Sequence, residues 1–315
     1  QEFFKICNTC RSEKLIFVPI KGMGLFNYYD NLPLRQMSDI DILIKEEKFS
    51  LVTDIFYRLS YEKYLMGSSE EYWRKKQCTL TFSKEDNKFN FLVDVHWALD
   101  FKRKNNRGLP NLWNRAKETK FGTVQVRLLS EEDAFFALAL HNRRFGKALC
   151  LKNACDIALI LNKSKANFDW NYILTESKKS NFVSSVYFVL YQVKFLFDLK
   201  IPDYVFNDLG ILPWKQKLIS KFISQNLFLP AQNNRIRELY LKSHFLLYDG
   251  FYEPLNYIFN IPLEQFAKFY KLNQKSKLTN LFYCLRWLYM PLGYLVIKLA
   301  GNRSSRNDYK TRLSR

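Results

Sequence analysis

The sequence predicts an α+β protein with a mixed front ending near residue 130 and an all-α rear. Three observations carry this expectation. Up to Ser130, short β-branched runs alternate with stretches of helical spacing. Beyond Ser130, apolar residues recur at helical spacing. The 315 residues are 48% hydrophobic and 17% aromatic, which suffices for a buried core and excludes a disordered chain or a small disulfide scaffold.

The elements follow in order. Helical flanks surround Cys7 and Cys10, a lone C-x-x-C without a second pair at zinc spacing. Residues 15–20 form an apolar strand that Gly22 punctuates, and residues 24–29 read as a helix stopped before Pro33. Residues 39–44 (DIDILI) alternate, with Ile40, Ile42 and Ile44 on one face. Residues 46–60 have helical spacing through Phe49, Val52, Ile55, Phe56 and Leu59. Residues 78–82 and 89–97 flank a polar turn, a hairpin signal. A second hairpin breaks at Phe121-Gly122. Ser130-x-x-Asp133 resembles a capping box, and helices are expected over 131–145, 147–161, 169–179, 182–199 and several stretches up to residue 298. The expected division is 1–130, 131–280 and a terminal segment 281–315.

Net charge is +19, from 49 Lys and Arg against 30 Asp and Glu, and it points to an anionic partner. From Ile211 onward there are 17 basic and 5 acidic residues, so one third of the chain carries most of the excess. Residues 281–300 are mostly apolar but interrupted by Arg286, Pro291 and Lys298, which disfavours a spanning helix. A basic tail follows. Two readings stand: an anchor to an anionic membrane surface, or a last core helix with a solvated tail. The six cysteines imply no disulfide framework, and no signal peptide is visible at Gln1. The expected location is cytoplasmic, or peripheral at the inner face of the cell membrane.

Asp39 and Asp41 lie two apart, so a strand places both on one face. Paired carboxylates repel unless a cation sits between them, and a divalent ion with oxygen preference serves. Asp94, in a second strand ending Asp94-Val-His96-Trp97, completes a site if the strands are neighbours. Three carboxylates holding two Mg²⁺ would organise a triphosphate for in-line displacement. The plain alternative is a pair of solvated strand-end aspartates. Lys21 and Gly22 close a strand before a helix, where backbone approach and an ammonium suit phosphate. Arg35 lies between this turn and Asp39. His96 faces the same side as Asp94 and reads either as a group hydrogen-bonded to a metal-bound carboxylate or as a packed strand histidine. His141 lies in an expected helix beside Arg143 and Arg144, a pair that could face phosphates. Lys152 and Asp156 are four apart and could pair with each other.

Lys21-Gly22, Arg35, Asp39-Ile-Asp41-Ile-Leu-Ile44 and Asp94-Val-His96-Trp97 together resemble the uncharacterised nucleotidyltransferase family of the polymerase-β-like superfamily. The likeness continues through Leu128-Leu-Ser-Glu-Glu-Asp133, His141 and Cys155-Asp156-Ile157-Ala158, covering roughly residues 15 to 200. The resemblance implies a small mixed sheet with helices, followed by a helical domain that closes over a nucleotide. It implies that Asp39 and Asp41 bind metal and triphosphate, with Asp94 as third carboxylate and aid to deprotonation of an acceptor hydroxyl. The expected metal is Mg²⁺, two ions, with Mn²⁺ as a substitute. The superfamily places Gly followed by Gly or Ser on the phosphates, whereas this chain has Lys21-Gly22-Met23-Gly24 and a longer spacing to the Asp pair. The helical domain is implied to supply a cation to the terminal phosphates, with Lys152 and His141 as candidates.

The expected function is transfer of a nucleoside monophosphate from a nucleoside triphosphate to an acceptor hydroxyl, with release of pyrophosphate. Relatives linked with polysaccharide or cell-envelope biosynthesis suggest a glycan or envelope precursor as acceptor, and protein or tRNA acceptors, as in toxin–antitoxin relatives of this fold, stay open. Two readings compete: a non-catalytic nucleotide- or membrane-binding regulatory protein, and a nucleic-acid binder driven by the charge. No RNA-binding signature interleaves the aromatics with Lys and Arg, which disfavours nucleic acid.

Overall fold

A computed structural model describes residues 1–288 apart from 32–33, 66–67, 87–88, 101–108, 110, 145–146, 228–232, 260 and 271. The mixed part runs α1 (Glu2–Ser12), β1 (Phe17–Pro19), α2 (Lys21–Gly24), β2 (Ile40–Ile44), α3 (Phe49–Arg58), β3 (Glu62–Tyr64), α4 (Glu70–Lys76), β4 (Thr79–Asp86), β5 (Phe89–His96), α5 (Leu112–Arg115), β6 (Lys117–Phe121) and β7 (Val124–Leu128). Helices follow: α6 (Glu131–His141), α7 (Leu151–Ser164), α8 (Trp170–Ser180), α9 (Val183–Phe197), α10 (Asp203–Asp208), α11 (Pro213–Asn226), α12 (Asn233–Leu247), α13 (Tyr252–Phe259), α14 (Leu263–Phe269) and α15 (Lys277–Cys284). The fold is α+β, with a small mixed sheet and a helical C-terminal region.

The main sheet has the order β1-β2-β5-β4-β3. β2 and β5 are parallel and the other neighbours antiparallel. Pro19 sits on the edge strand β1, where a missing N–H costs the sheet little. Period-two alternation divides the side chains between faces. Ile42, Ile44, Leu80, Phe82, Val93 and Val95 bury against Ile6 and Cys10 of α1 and Val52, Ile55 and Phe56 of α3. Val18 and Leu43 turn the other way and share a core with Phe135, Leu138 and Ile157 of the helical part. The polar residues of that second face are thereby held under the helices. β6 and β7 form a separate hairpin, turning at Gly122 with φ of 56°.

Several elements differ locally from the sequence expectation. The helix expected over 24–29 is α2 followed by a 3-10 turn, Phe26–Tyr28, because the chain turns at Lys21 rather than at Gly24. The stretch 46–60 opens as a 3-10 turn, Glu46–Lys48, before α3. α6 ends at His141, so that histidine is terminal rather than mid-helix. The Ser130 hydroxyl accepts the Asp133 amide at 3.3 Å, as a cap should. Asp133 does not complete a capping box, since its carboxylate accepts from Arg115, Tyr172 and the Ser130 hydroxyl. Cys7 and Cys10 are both buried in α1, and burial pushes both thiols up to about 12, so they pack as neutral apolar groups.

Asp156 of α7 is one of the points that join the mixed and helical parts. Arg35, buried, donates from Nε and Nη2 to the two oxygens of Asp156 on α7, at 2.8 and 2.7 Å. The Tyr29 hydroxyl donates to the same carboxylate at 2.6 Å. Asp156 therefore pairs across the interface, not with Lys152 along its own helix. Farther along the chain, Glu264 of α14 accepts the backbone N–H of Ser69, the N-cap of α4, at 2.7 Å.

Removing one partner of a buried pair leaves the other charge uncompensated, at roughly 3–5 kcal/mol. Arg35→Met should therefore lower the unfolding free energy by about that amount, and Arg35→Met/Asp156→Leu should recover much of it in denaturant melts. Equal losses in the single and double variants would show that the pair is not a tether. A Cβ on Gly24 would lie 2.4 Å from the Pro19 carbonyl oxygen. Gly24→Ala should cost about 1–3 kcal/mol in the same melts, because two backbones must separate to admit the methyl.

Candidate functional site

Parallel register brings Asp41 of β2 directly opposite Asp94 of β5, and Leu43 opposite His96. The antiparallel register of β4 sets Thr81 opposite Asp94 and Thr79 opposite His96. Two cross-strand rows result on the face beneath the helices: Asp41, Asp94 and Thr81, then Leu43, His96 and Thr79. One ligand atom from each of Asp41, Asp94 and His96 lies within 4.8 Å of the others.

Asp41 and His96 are buried and Asp94 is half-buried. His96 Nε2 lies 2.8 Å from Asp41 Oδ1, and the Lys21 ammonium contacts the same oxygen. Lys21 Nζ and His96 Nε2 are themselves 3.5 Å apart. On the other edge of the imidazole, Arg144 Nη2 lies 3.4 Å from Nδ1 and also donates to the Cys78 sulfur at 3.2 Å. A guanidinium only donates, so this contact assigns Nδ1 as acceptor and leaves the ring proton on Nε2, pointing at Asp41. Two donors thus converge on one carboxylate oxygen. The Thr81 hydroxyl donates to Asp94 Oδ1 at 2.6 Å.

Charges reinforce this arrangement. Burial alone would raise the Asp41 carboxyl, but Lys21 and His96 beside it hold it well below the usual carboxylate range. Burial first, then Lys21 and Arg144, push His96 down to about 4 against the pull of Asp41, so the imidazole is neutral near pH 7. His141, at the end of α6, is also driven down, by burial and then by Lys21 and Arg144. Its Nδ1 is buried without a hydrogen-bond partner among the described residues.

The remaining candidates are spread around this centre. Asp39 precedes β2, half-buried, and accepts from the Ser38 hydroxyl at 3.0 Å. It is not part of the Asp41–Asp94–His96 group. Lys21 adopts φ of 51°, in the left-handed region, as the chain leaves β1. Gly22 is packed so closely that a Cβ would lie 2.8 Å from the Met37 sulfur. Arg35 spends Nε and Nη2 on Asp156 and donates from Nη1 to the Gln36 carbonyl at 2.7 Å. Lys152 is exposed on the first turn of α7. Arg143 turns into the helical core, onto Asp100 and Ser185, whereas Arg144 turns to the site.

Sequence reasoning missed Thr81 and did not choose between Arg143 and Arg144. The signal for Thr81 was available in the hairpin: Thr79 and Thr81 alternate with buried Leu80 and Phe82 and so share the face of Asp94. No sequence signal separates the two arginines, because the helix has ended and the turn decides where each points.

A divalent ion fits the chemistry of this centre. Asp41 and Asp94 offer oxygen ligands side by side, and hydrogen bonds from His96 and Thr81 hold them, as supporting partners hold metal ligands elsewhere. A search of curated proteins and a search of solved structures each returned no match. A family model described as uncharacterised nucleotidyltransferase matches residues 1–198, which span the whole sheet, the Asp41–Asp94–His96 centre and helices α6 to α9. The chain belongs to this uncharacterised nucleotidyltransferase family and is a nucleotidyltransferase.

Proposed function

We propose that the protein transfers a nucleoside monophosphate from a nucleoside triphosphate to an acceptor hydroxyl, releasing pyrophosphate, with Mg²⁺ held on Asp41 and Asp94 and completed by Asp39. The observation that carries this reading is the register pairing of Asp41 with Asp94 on the buried face of the sheet. Mn²⁺ would fit the same oxygen donors. When bound, the metal would supply Lewis-acid polarisation of the α-phosphate and charge neutralisation.

The chain's own residues take the remaining roles. His96 orients Asp41 and fixes which oxygen lone pairs stay available. Thr81 does the same for Asp94. Asp94, half-buried in the centre, would accept the acceptor's proton as the new O–P bond forms and the bond to pyrophosphate breaks. Lys21, the backbone at Gly22, His141 and Arg144 would serve the phosphates from the sheet edge and from the end of α6. Arg35 acts through Asp156, fixing the helical part (131–280) over the mixed part (1–130).

The proposed acceptor is a glycan or envelope precursor at an anionic membrane surface, reached through residues 281–315. Among the described residues no helix is long and apolar enough to cross a membrane. Leu278, Leu281, Phe282, Leu285 and Leu288 are all exposed, at the spacing of one helical stripe on and just beyond α15. They lie within residues 265–307, which hold eight Lys and Arg and no Asp or Glu. An apolar stripe in an acid-free basic stretch suits a surface-lying helix. Residues 289–315 lie outside the described residues.

Asp41→Asn and Asp94→Asn should each lower metal-dependent pyrophosphate release by at least about 100-fold, at the scale of losing a charge-stabilising group. The assay is each labelled triphosphate with Mg²⁺ and an acceptor extract. Release by the wild type that survives both substitutions would refute the site. In sedimentation with vesicles, the full chain should partition onto anionic and not neutral lipid, and Leu281→Asp/Phe282→Asp should reduce that partition. Equal partition of the two proteins would refute the lipid contact, and salt-sensitive binding to nucleic acid in their place would favour the competing binder.

A further inference from the structure

Lys21 occupies an unusual position. Its side chain is largely buried, with 11% exposure, and its ammonium rests on the Asp41 oxygen that also accepts from His96. That oxygen has both lone-pair directions engaged by donors, and neither donor is a metal. The nearby carboxylate, Asp94, is neutralised by no cation among its described hydrogen bonds, since Thr81 is a neutral donor. Among the described hydrogen bonds of the two carboxylates, the cationic donor is Lys21, and it rests on Asp41, where a divalent ion would bind.

Lys21 is also held in a backbone conformation that L-residues seldom adopt, with φ of 51°. Such conformations persist where the surroundings impose them, and they concentrate at working sites. Gly22 packs against Met37 and Gly24 against the Pro19 carbonyl, so the turn that carries Lys21 is fixed on both sides. The backbone delivers the lysine stem to the sheet edge, and the flexible four-carbon chain then sets where the charge lies.

We infer that Lys21 is a displaceable counter-ion: in the resting site its ammonium takes the place of the metal on Asp41, and a divalent cation binds only by moving it off. This rests on the metal reading above. An ammonium and a divalent ion on the one Asp41 carboxylate repel each other, more strongly in a buried site than in water, so binding of one opposes binding of the other. The displaced ammonium stays tethered beside the centre, where the phosphates of a triphosphate offer it a new partner. Metal and triphosphate then load together, and free metal alone binds weakly. No covalent step is involved.

The competing view makes Lys21 a permanent partner of a buried carboxylate, part of the same site as the metal. The two views give opposite signs. Mn²⁺ binding would be measured by electron paramagnetic resonance and calorimetry, without nucleotide, on the wild type, Lys21→Met and Lys21→Gln. Thermal melts check that each variant is folded, and the neutral glutamine variant serves if the methionine variant does not fold. Loss of the competing ammonium should tighten Mn²⁺ binding by about tenfold or more. Lys21→Arg, which keeps the charge, should stay as weak as the wild type. Unchanged or weaker Mn²⁺ binding in the folded neutral variants, beside measurable binding by the wild type, overturns the inference and leaves the metal site standing. Absence of Mn²⁺ binding in every protein overturns both.

Discussion

The parallel pairing of β2 with β5 is the constraint on which the rest depends. It sets Asp41 and Asp94 side by side on a face that the helices cover. Two carboxylates so placed repel, and burial makes that repulsion stronger. The surroundings are arranged around the problem. Lys21 and His96 both donate to Asp41, Thr81 donates to Asp94, and Arg144 fixes the imidazole tautomer from the far side. Each of these groups comes from a different strand, helix end or turn. The site is thus a product of the register, and a slip of one residue in β5 would turn Asp94 and His96 to the opposite, apolar face.

The helical part contributes to the site mainly through its attachment. Asp156 receives Arg35 and Tyr29 from the mixed part, a charged junction beside the shared apolar core. Buried pairs of this kind add little net stability over an apolar contact, and here the pair marks one docking geometry. That geometry places the end of α6, with His141 and Arg144, over the carboxylates. The cation facing the centre is Arg144 from the turn after α6, while Lys152 on α7 is directed to solvent.

Charge separates into two tasks. Around the carboxylates, a few basic residues are each matched to a named acceptor. Residues 265–307 hold eight Lys and Arg and no Asp or Glu, and they include the exposed apolar stripe. The overall excess of +19 therefore says little about the chemistry at the sheet. Most of it lies in the terminal third, with 17 basic and 5 acidic residues from Ile211 onward.

Local pattern in the sequence was enough for much of the fold. Alternation in residues 39–44 and 89–97 gave β2 and β5, and the polar turn between residues 82 and 89 gave the hairpin, because period-two burial leaves a direct trace. β3 and α4 escaped, since Glu62–Tyr64 lacks an apolar face and α4 is a short, charged helix capped by Ser69 and, from far away, by Glu264. Asp41, Asp94, Lys21 and His96 could be named from residue type and spacing. Their mutual arrangement could not. Strand order, the tautomer of His96, the pairing of Arg35 with Asp156 across 121 residues and the choice of Arg144 over Arg143 all depend on contacts between distant segments. By itself the sequence determined which face of each strand its candidate residues occupy, since alternation is a local property of the chain. Only the tertiary structure decided which of them meet, because long-range register and docking fix distances that no local pattern encodes.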